Sequence, residues 1–194
     1  MQAPAGDVAF NGWARQQRVH HAVSLLYHMP KPTIAAVNGA AAGLGADTAL
    51  SCDFIVASEQ ATFTWSYIAR GLIPDGGGMY FLPRRVGLAR AKELIYSGRK
   101  VAAEEAFALG IADRLAPAGQ ELDAAQRWAA ELARGSATAL ALSTSNLDQS
   151  SELSAGQVFA MGSQAQGICY TSTEHRDSVA AFLAQAGRGR EQAR

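Results

Sequence analysis

The sequence predicts an α/β protein followed by a helical region, on three observations. Thr33–Val37 is a short apolar run with β-branched residues, and it leads through Asn38-Gly39 and Gly43-Leu44-Gly45 into a helix-forming stretch, Ala46–Cys52. Asp53–Ser58 follows at once as a second strand, and strand, helix, strand at this spacing is a parallel α/β unit. No β-rich segment follows Leu115, and from about Gln120 the pattern is helix after helix.

The elements can be justified in order. Residues 1–8 form a polar start bearing proline and glycine, expected to be loose. Between Asn11 and His28 the apolar residues Trp13, Val19, Val23, Leu26 and Tyr27 recur at helical steps, and Pro30 and Pro32 close that helix. His20, His21 and His28 lie on it; adjacent histidines point to different faces, so solvent-facing or packed imidazoles are expected rather than a metal site. Glu59-Gln60 is a turn and Ala61–Trp65 a weak third strand. Pro74-Asp75-Gly76-Gly77-Gly78 is a second glycine cluster, where backbone can approach a neighbour closely. Met79–Arg85 reads as a short helix broken by Pro83, Leu88–Tyr96 as a helix, Ala102–Leu109 as another ending at Gly110, and Ile111–Leu115 as a strand. Helices are then expected near 120–134, 137–149, 153–168 and 174–185, with Gly135 and Gly187 as stops. The expected organisation is an α/β part with its leading helix at 1–116, a helical part at 117–187, and a disordered tail at 188–194.

Composition narrows the function. The chain has 194 residues, enough for a sizeable core, with 48% hydrophobic and 18% charged residues. Its 17 basic and 17 acidic side chains cancel, so nucleic acid is not expected as a main partner. No apolar run approaches the roughly 20 residues of a membrane helix, and the first residues lack a signal peptide's regions, so a cytoplasmic protein is expected. Cys52 and Cys169, with no Cys-x-x-Cys, read as reduced buried thiols.

The loop at 43–45 is where chemistry is expected. The first N–H groups of a helix have no intrahelical partner, and the helix dipole adds to their pull on negative charge. A dinucleotide fingerprint starting at Gly43 would need glycine at Thr48, and a phosphate loop would need a lysine where none stands between Lys31 and Lys92. Both fail. A tight turn with close helix–strand packing, or a cradle for a developing oxyanion, remains.

Lys31-Pro-Thr-Ile-Ala-Ala-Val-Asn-Gly39, Gly43-Leu-Gly45, Ser51-Cys-Asp-Phe-Ile-Val-Ala-Ser58, Gly71-Leu-Ile-Pro-Asp-Gly-Gly-Gly78, Leu82-Pro-Arg-Arg-Val-Gly87, Ala102-Ala-Glu-Glu-Ala106 and Glu174–Phe182 follow one another in a single register. Together they resemble the enoyl-CoA hydratase/isomerase (crotonase) superfamily. The resemblance implies a spiral of ββα turns followed by C-terminal helices, an acyl-CoA thioester substrate, no cofactor beyond the coenzyme A of that substrate, and a homotrimer or hexamer. It implies an enolate held by two backbone N–H groups, one of them at Leu44 between Gly43 and Gly45. The other belongs to an upstream segment. The chain starts too late to hold that segment's strands, so it is expected to be N-terminally truncated. Ala5-Gly6-Asp7 has part of the upstream wording but no strand before it.

The family's hydratases carry two glutamates, which by resemblance fall at Asp47 and Tyr67. Tyrosine cannot act as a carboxylate, which puts ordinary hydration in doubt. Members that shift double bonds carry an aspartate where Asp75 stands, and Gly71-Leu-Ile-Pro-Asp-Gly-Gly most resembles the phenylacetate-pathway isomerases. One carboxylate of suitable pKa can remove a proton at one carbon and return it at another. The expectation is therefore an isomerase with Asp75 as proton shuttle and Leu44 N–H at the thioester oxygen, and with Gly43, Gly45, Tyr67, Leu72 and Gly76 around the substrate. The rivals are a hydratase using Asp47 and a non-catalytic acyl-CoA-binding or oligomerising relic. Asp75 as a helix cap, Asp47 as a first-turn helix residue and Tyr67 as a pocket wall are the corresponding structural readings.

Overall fold

A computed structural model describes residues 5–192. Helix α1 runs over Ala5–Tyr27. It begins inside the stretch expected to be loose, and Gly6 and Asp7 are helical, with Asp7 in the first turn where the dipole favours a carboxylate. Strand β1 (Ile34–Val37), strand β2 (Ala40–Ala42) and helix α2 (Leu44–Leu50) follow. Then come β3 (Phe54–Ser58), β4 (Thr62–Thr64), a 3-10 turn at Ser66–Arg70, α3 (Gly78–Val86) and α4 (Leu88–Ser97). The chain continues as β5 (Lys100–Ala102), α5 (Ala103–Leu109), β6 (Arg114–Ala116) and α6 (Glu121–Leu132). It ends with α7 (Ala137–Ser150), α8 (Ala155–Thr171) and α9 (Thr173–Gln192).

The strands form two three-stranded sheets. One has the order β1-β3-β6, all parallel; the other has the order β2-β4-β5, with β4 antiparallel to β5. The first two turns of the chain, β1-β2-α2 and β3-β4-α3, each give one strand to each sheet before a helix closes the turn, as in the ββα spiral expected from the resemblance; in the next turn α5 separates β5 from β6. The alanines that build β2 carry no strand signature, which is why Ala40–Ala42 read as loop. β5 is likewise too short to read before α5.

The core lies between the sheets and α2–α5. Phe63, Trp65, Ile55, Leu82, Leu94, Ile111 and Val101 are each fully buried there. Helix α6 covers the other face of β1 and β3, with Trp128 stacked near Phe54 and the Arg114 guanidinium lying over the Trp128 ring. Arg85 ties three loops together, donating to the Cys52, Asp53 and Ile111 carbonyls and pairing with Asp113 at 3.0 Å.

The chain divides into two compact units: one holds Met1–Met29 and Thr33–Glu131, the other Pro30–Pro32 and everything from Leu132 onward. Helix α6 therefore belongs with the α/β unit, and the expected boundary at 116/117 lies too early. The second unit is α7–α9. Among its described residues none is buried, and Leu147, Phe159, Ile168, Tyr170 and Phe182 are exposed. Three further expectations are corrected. Pro83 sits within an unbroken α3; the helical bond it cannot make would go to the carbonyl of Met79, an exposed residue in the first turn. Helix α9 runs through Gly187 to Gln192 instead of ending in a disordered tail. Cys52 and Cys169 are free but only half-buried.

Candidate active site

The site is built from the two glycine loops. Gly43 donates its N–H to the Thr64 carbonyl at 2.9 Å and adopts φ 54°, ψ −120°, a conformation open to glycine but not to side chains. It is the N-cap of α2, and Asp47 N–H donates to its carbonyl at 3.0 Å. Leu44 is thus the first residue of the helix, its N–H one of the groups with no intrahelical acceptor, and its side chain is 41% exposed. Gly45 is exposed. Tyr67 covers the loop: a Cβ added at Gly43 would lie 3.5 Å from its ring.

Asp47 is fully buried in the first turn of α2. Its Oδ1 accepts the Trp65 indole N–H at 3.0 Å, and its Oδ2 accepts the Tyr67 hydroxyl at 2.7 Å. Burial pushes its pKa up from 3.8; the Tyr67, Trp65 and Gly78 N–H hydrogen bonds oppose that rise, and the nearby charge of Asp75 adds to it. The Tyr67 hydroxyl is held protonated far above its usual range, chiefly by burial and then by its bond to Asp47. The carboxylate proposed for hydration is therefore sealed between an indole, a phenol and a backbone amide. It is both a first-turn residue and the peg of the second glycine loop.

That loop packs directly on the first. A Cβ at Gly76 would lie 2.6 Å from Leu44 Cδ1 and 2.9 Å from Asp47 Oδ2; one at Gly78 would fall 2.3 Å from Asp47 Oδ1. The missing side chains are what let the two loops meet. Gly77, at φ 111°, is the N-cap of α3 and makes no side-chain cap. Asp75 is therefore not the cap that the structural reading of the sequence would make it.

Asp75 instead lines a cavity of about 230 Å³ with His20, Val23, Ser24, Tyr27 and His28 of α1, and with Gly76, Gly77, Tyr80 and Phe81 at the start of α3. Tyr27 fixes α1 to α3: its ring meets Phe81 at 5.0 Å and Tyr80 at 5.9 Å, and its hydroxyl lies 3.3 Å from that of Tyr80. The cavity wall is mainly apolar, and Asp75 is the one carboxylate among its lining residues. Gly76 is shared: it lines the cavity and touches Leu44 behind it. Gly43, Leu44, Gly45, Tyr67 and Leu72 are not among the cavity's lining residues, and Leu72 is 57% exposed.

Sequence reasoning missed His20. Its Nε2 lies 4.0 Å from Asp75 Oδ2. The signal was present in the helical spacing of residues 20, 23, 24, 27 and 28, which share one face. It also missed Trp65, whose N–H bond to Asp47 joins residues that no sequence pattern pairs.

The chain is similar to known proteins along most of its length. Residues 9–187 match the family model described as "Enoyl-CoA hydratase/isomerase". A Rhodobacter capsulatus protein described as "Probable enoyl-CoA hydratase" is 37% identical over 161 residues, covering 81% of this chain and 62% of that protein. The crotonyl-CoA hydratase of Syntrophomonas wolfei is 31% identical over 159 residues, covering 82% of this chain and 61% of its own length. The chain thus spans about three-fifths of the curated relatives it matches. The crystal structure of an enoyl-CoA hydratase/isomerase from Cupriavidus metallidurans superposes with a TM-score of 0.86 at 33% identity, covering 94% of this chain and 67% of that one. An enoyl-CoA hydratase from Polaromonas gives 0.81 at 36% identity, covering 86% and 65%.

Proposed function

Because the chain belongs to the enoyl-CoA hydratase/isomerase family, we propose that it shifts a C=C bond in an acyl-CoA thioester, with Asp75 carrying the proton. The observation that carries this reading is the contrast between the two carboxylates. Asp75 is partly exposed and is the one carboxylate lining a mainly apolar cavity, whereas Asp47 is fully buried and held by its hydrogen-bond donors.

The chemistry follows from that contrast. Asp75 takes a proton from the carbon beside the thioester carbonyl and returns it two carbons further on. Charge gathers on the thioester oxygen as the proton leaves, and a preorganised N–H at residue 44 stabilises it. Gly76, touching Leu44 on one side and the cavity on the other, sets the distance between the two groups. Gly43, Gly45, Tyr67 and Leu72 surround the thioester end in this reading. No cofactor is needed beyond the coenzyme A of the substrate.

Hydration with Asp47 is the second reading, favoured by the relatives' descriptions as hydratases. It requires Asp47 to leave its bonds to Trp65 and Tyr67. Assembly as a homotrimer or hexamer is the proposed use of the exposed apolar residues of α7–α9. A cytoplasmic location suits two unpaired cysteines. No helix among the described residues is long and apolar enough to cross a membrane. The test is a side-by-side assay of a β,γ-unsaturated acyl-CoA and crotonyl-CoA with wild type, Asp75→Asn and Asp47→Ala. Isomerisation that needs Asp75 supports the first reading; water addition that needs Asp47 replaces it with the second.

A further inference from the structure

His20 Nε2 stands 4.0 Å from Asp75 Oδ2, and the two side chains are 44% and 28% exposed, so the imidazole is the wetter of the pair. The other titratable groups around the cavity are placed differently. His28 Nδ1 lies 2.9 Å from the Ser24 carbonyl and 3.2 Å from Ser24 Oγ. The Tyr27 and Tyr80 hydroxyls lie 3.3 Å apart, directed at each other. Asp47, behind Gly76, is fully buried.

From this arrangement we propose that His20 is the proton-exchange partner of Asp75, a positioning residue that connects the shuttle to solvent. The inference rests on the reading of Asp75 as the shuttle. A proton taken from the substrate carbon makes Asp75 a neutral carboxyl. That carboxyl passes the proton to the neutral His20 Nε2, leaving a carboxylate beside an imidazolium. The imidazolium releases a proton to water, and the reverse steps deliver a solvent proton to Asp75 and then to the substrate. The gap of 4.0 Å exceeds direct hydrogen-bond reach, and one water, or a rotation of the exposed imidazole, closes it. The device lets an isomerase lose its substrate's proton to water instead of returning the same one.

The experiment is isomerisation of a β,γ-unsaturated acyl-CoA in D₂O, with deuterium at the product's γ-carbon counted per turnover by mass spectrometry. Wild type and the His21→Gln control, one residue along the exposed surface of α1, incorporate deuterium readily. His20→Gln incorporates at least about threefold less per turnover, because Asp75 then returns the proton it took. A purely structural role for His20 would change turnover without changing this ratio. Exchange of the α-hydrogens of butyryl-CoA, measured by NMR, gives a second reading that needs no double bond, and His20→Gln slows it. Equal incorporation by His20→Gln and wild type overturns the inference while leaving Asp75 in place. Absence of both isomerisation and α-exchange in wild type overturns the Asp75 reading, and this inference with it.

Discussion

The Tyr67 hydroxyl donates a 2.7 Å hydrogen bond to Asp47 Oδ2. By the resemblance these are the two positions at which hydratase glutamates would fall, and here the two side chains satisfy each other. With the Trp65 indole on Oδ1, the bond turns a would-be catalytic pair into a strut between α2, the residues after β4 and the loop that carries Asp75. The loop's glycines complete the strut, since any Cβ at Gly76 or Gly78 would strike the Asp47 carboxylate.

Removing the strut should therefore destabilise the fold. Asp47→Ala strands the buried Trp65 N–H and the Tyr67 hydroxyl and is expected to cost about 2–4 kcal/mol. Asp47→Asn keeps one acceptor oxygen and is expected to cost about half as much. Urea unfolding followed by Trp fluorescence measures both, and a loss below about 0.5 kcal/mol for Asp47→Ala would show that the strut carries no stability.

The same burial gives a sign to the pH dependence. The pKa of Asp47 is raised in the folded chain above its ordinary 3.8, because burial penalises the charged form. The folded state then binds this proton more tightly than the unfolded state. The stability that protonated Asp47 contributes is fully present below pH 3.8 and is lost as pH rises through the raised folded value. The stability gap between wild type and Asp47→Asn should therefore be widest at low pH and narrow as pH rises across that window. Parallel unfolding curves at each pH give the difference, and a gap that widens with pH would contradict it.

Glycine substitutions separate packing from backbone freedom. Gly78→Ala places its Cβ 2.3 Å from Asp47 Oδ1 and should destabilise by about 1–3 kcal/mol. Gly12→Ala lies within α1, where nothing lies within 4 Å of the added carbon, and should stabilise by roughly 0.5–1 kcal/mol. Thermal melting of the two variants should move in opposite directions; a neutral Gly78→Ala would mean that the loops do not touch as described.

Much of this was legible in the sequence because it is local. The strands at Ile34–Val37 and Phe54–Ser58 and the glycine-led α2 follow from β-branched runs and turn residues. The helices of the C-terminal unit follow from their helical pattern and the break at Gly135. What the sequence hid is contact at a distance. Nothing local says that Tyr67 would seal Asp47, because the two lie 20 residues apart and meet only when β4 returns beside the glycine loop. His20 read as one of several surface histidines until α1 was laid against the start of α3. Ala40–Ala42 became a strand because β4 offers it hydrogen bonds, against its own propensity.

The central claim is that Asp75 moves the proton beside a thioester held at residue 44. The most direct measurement is kcat/KM for a β,γ-unsaturated acyl-CoA with wild type and with Asp75→Asn, a near-isosteric change at a partly exposed side chain that should leave the fold intact by circular dichroism. Loss of the carboxylate is predicted to lower kcat by about 10²–10⁴ with KM little changed. Equal turnover by the two proteins would contradict the account.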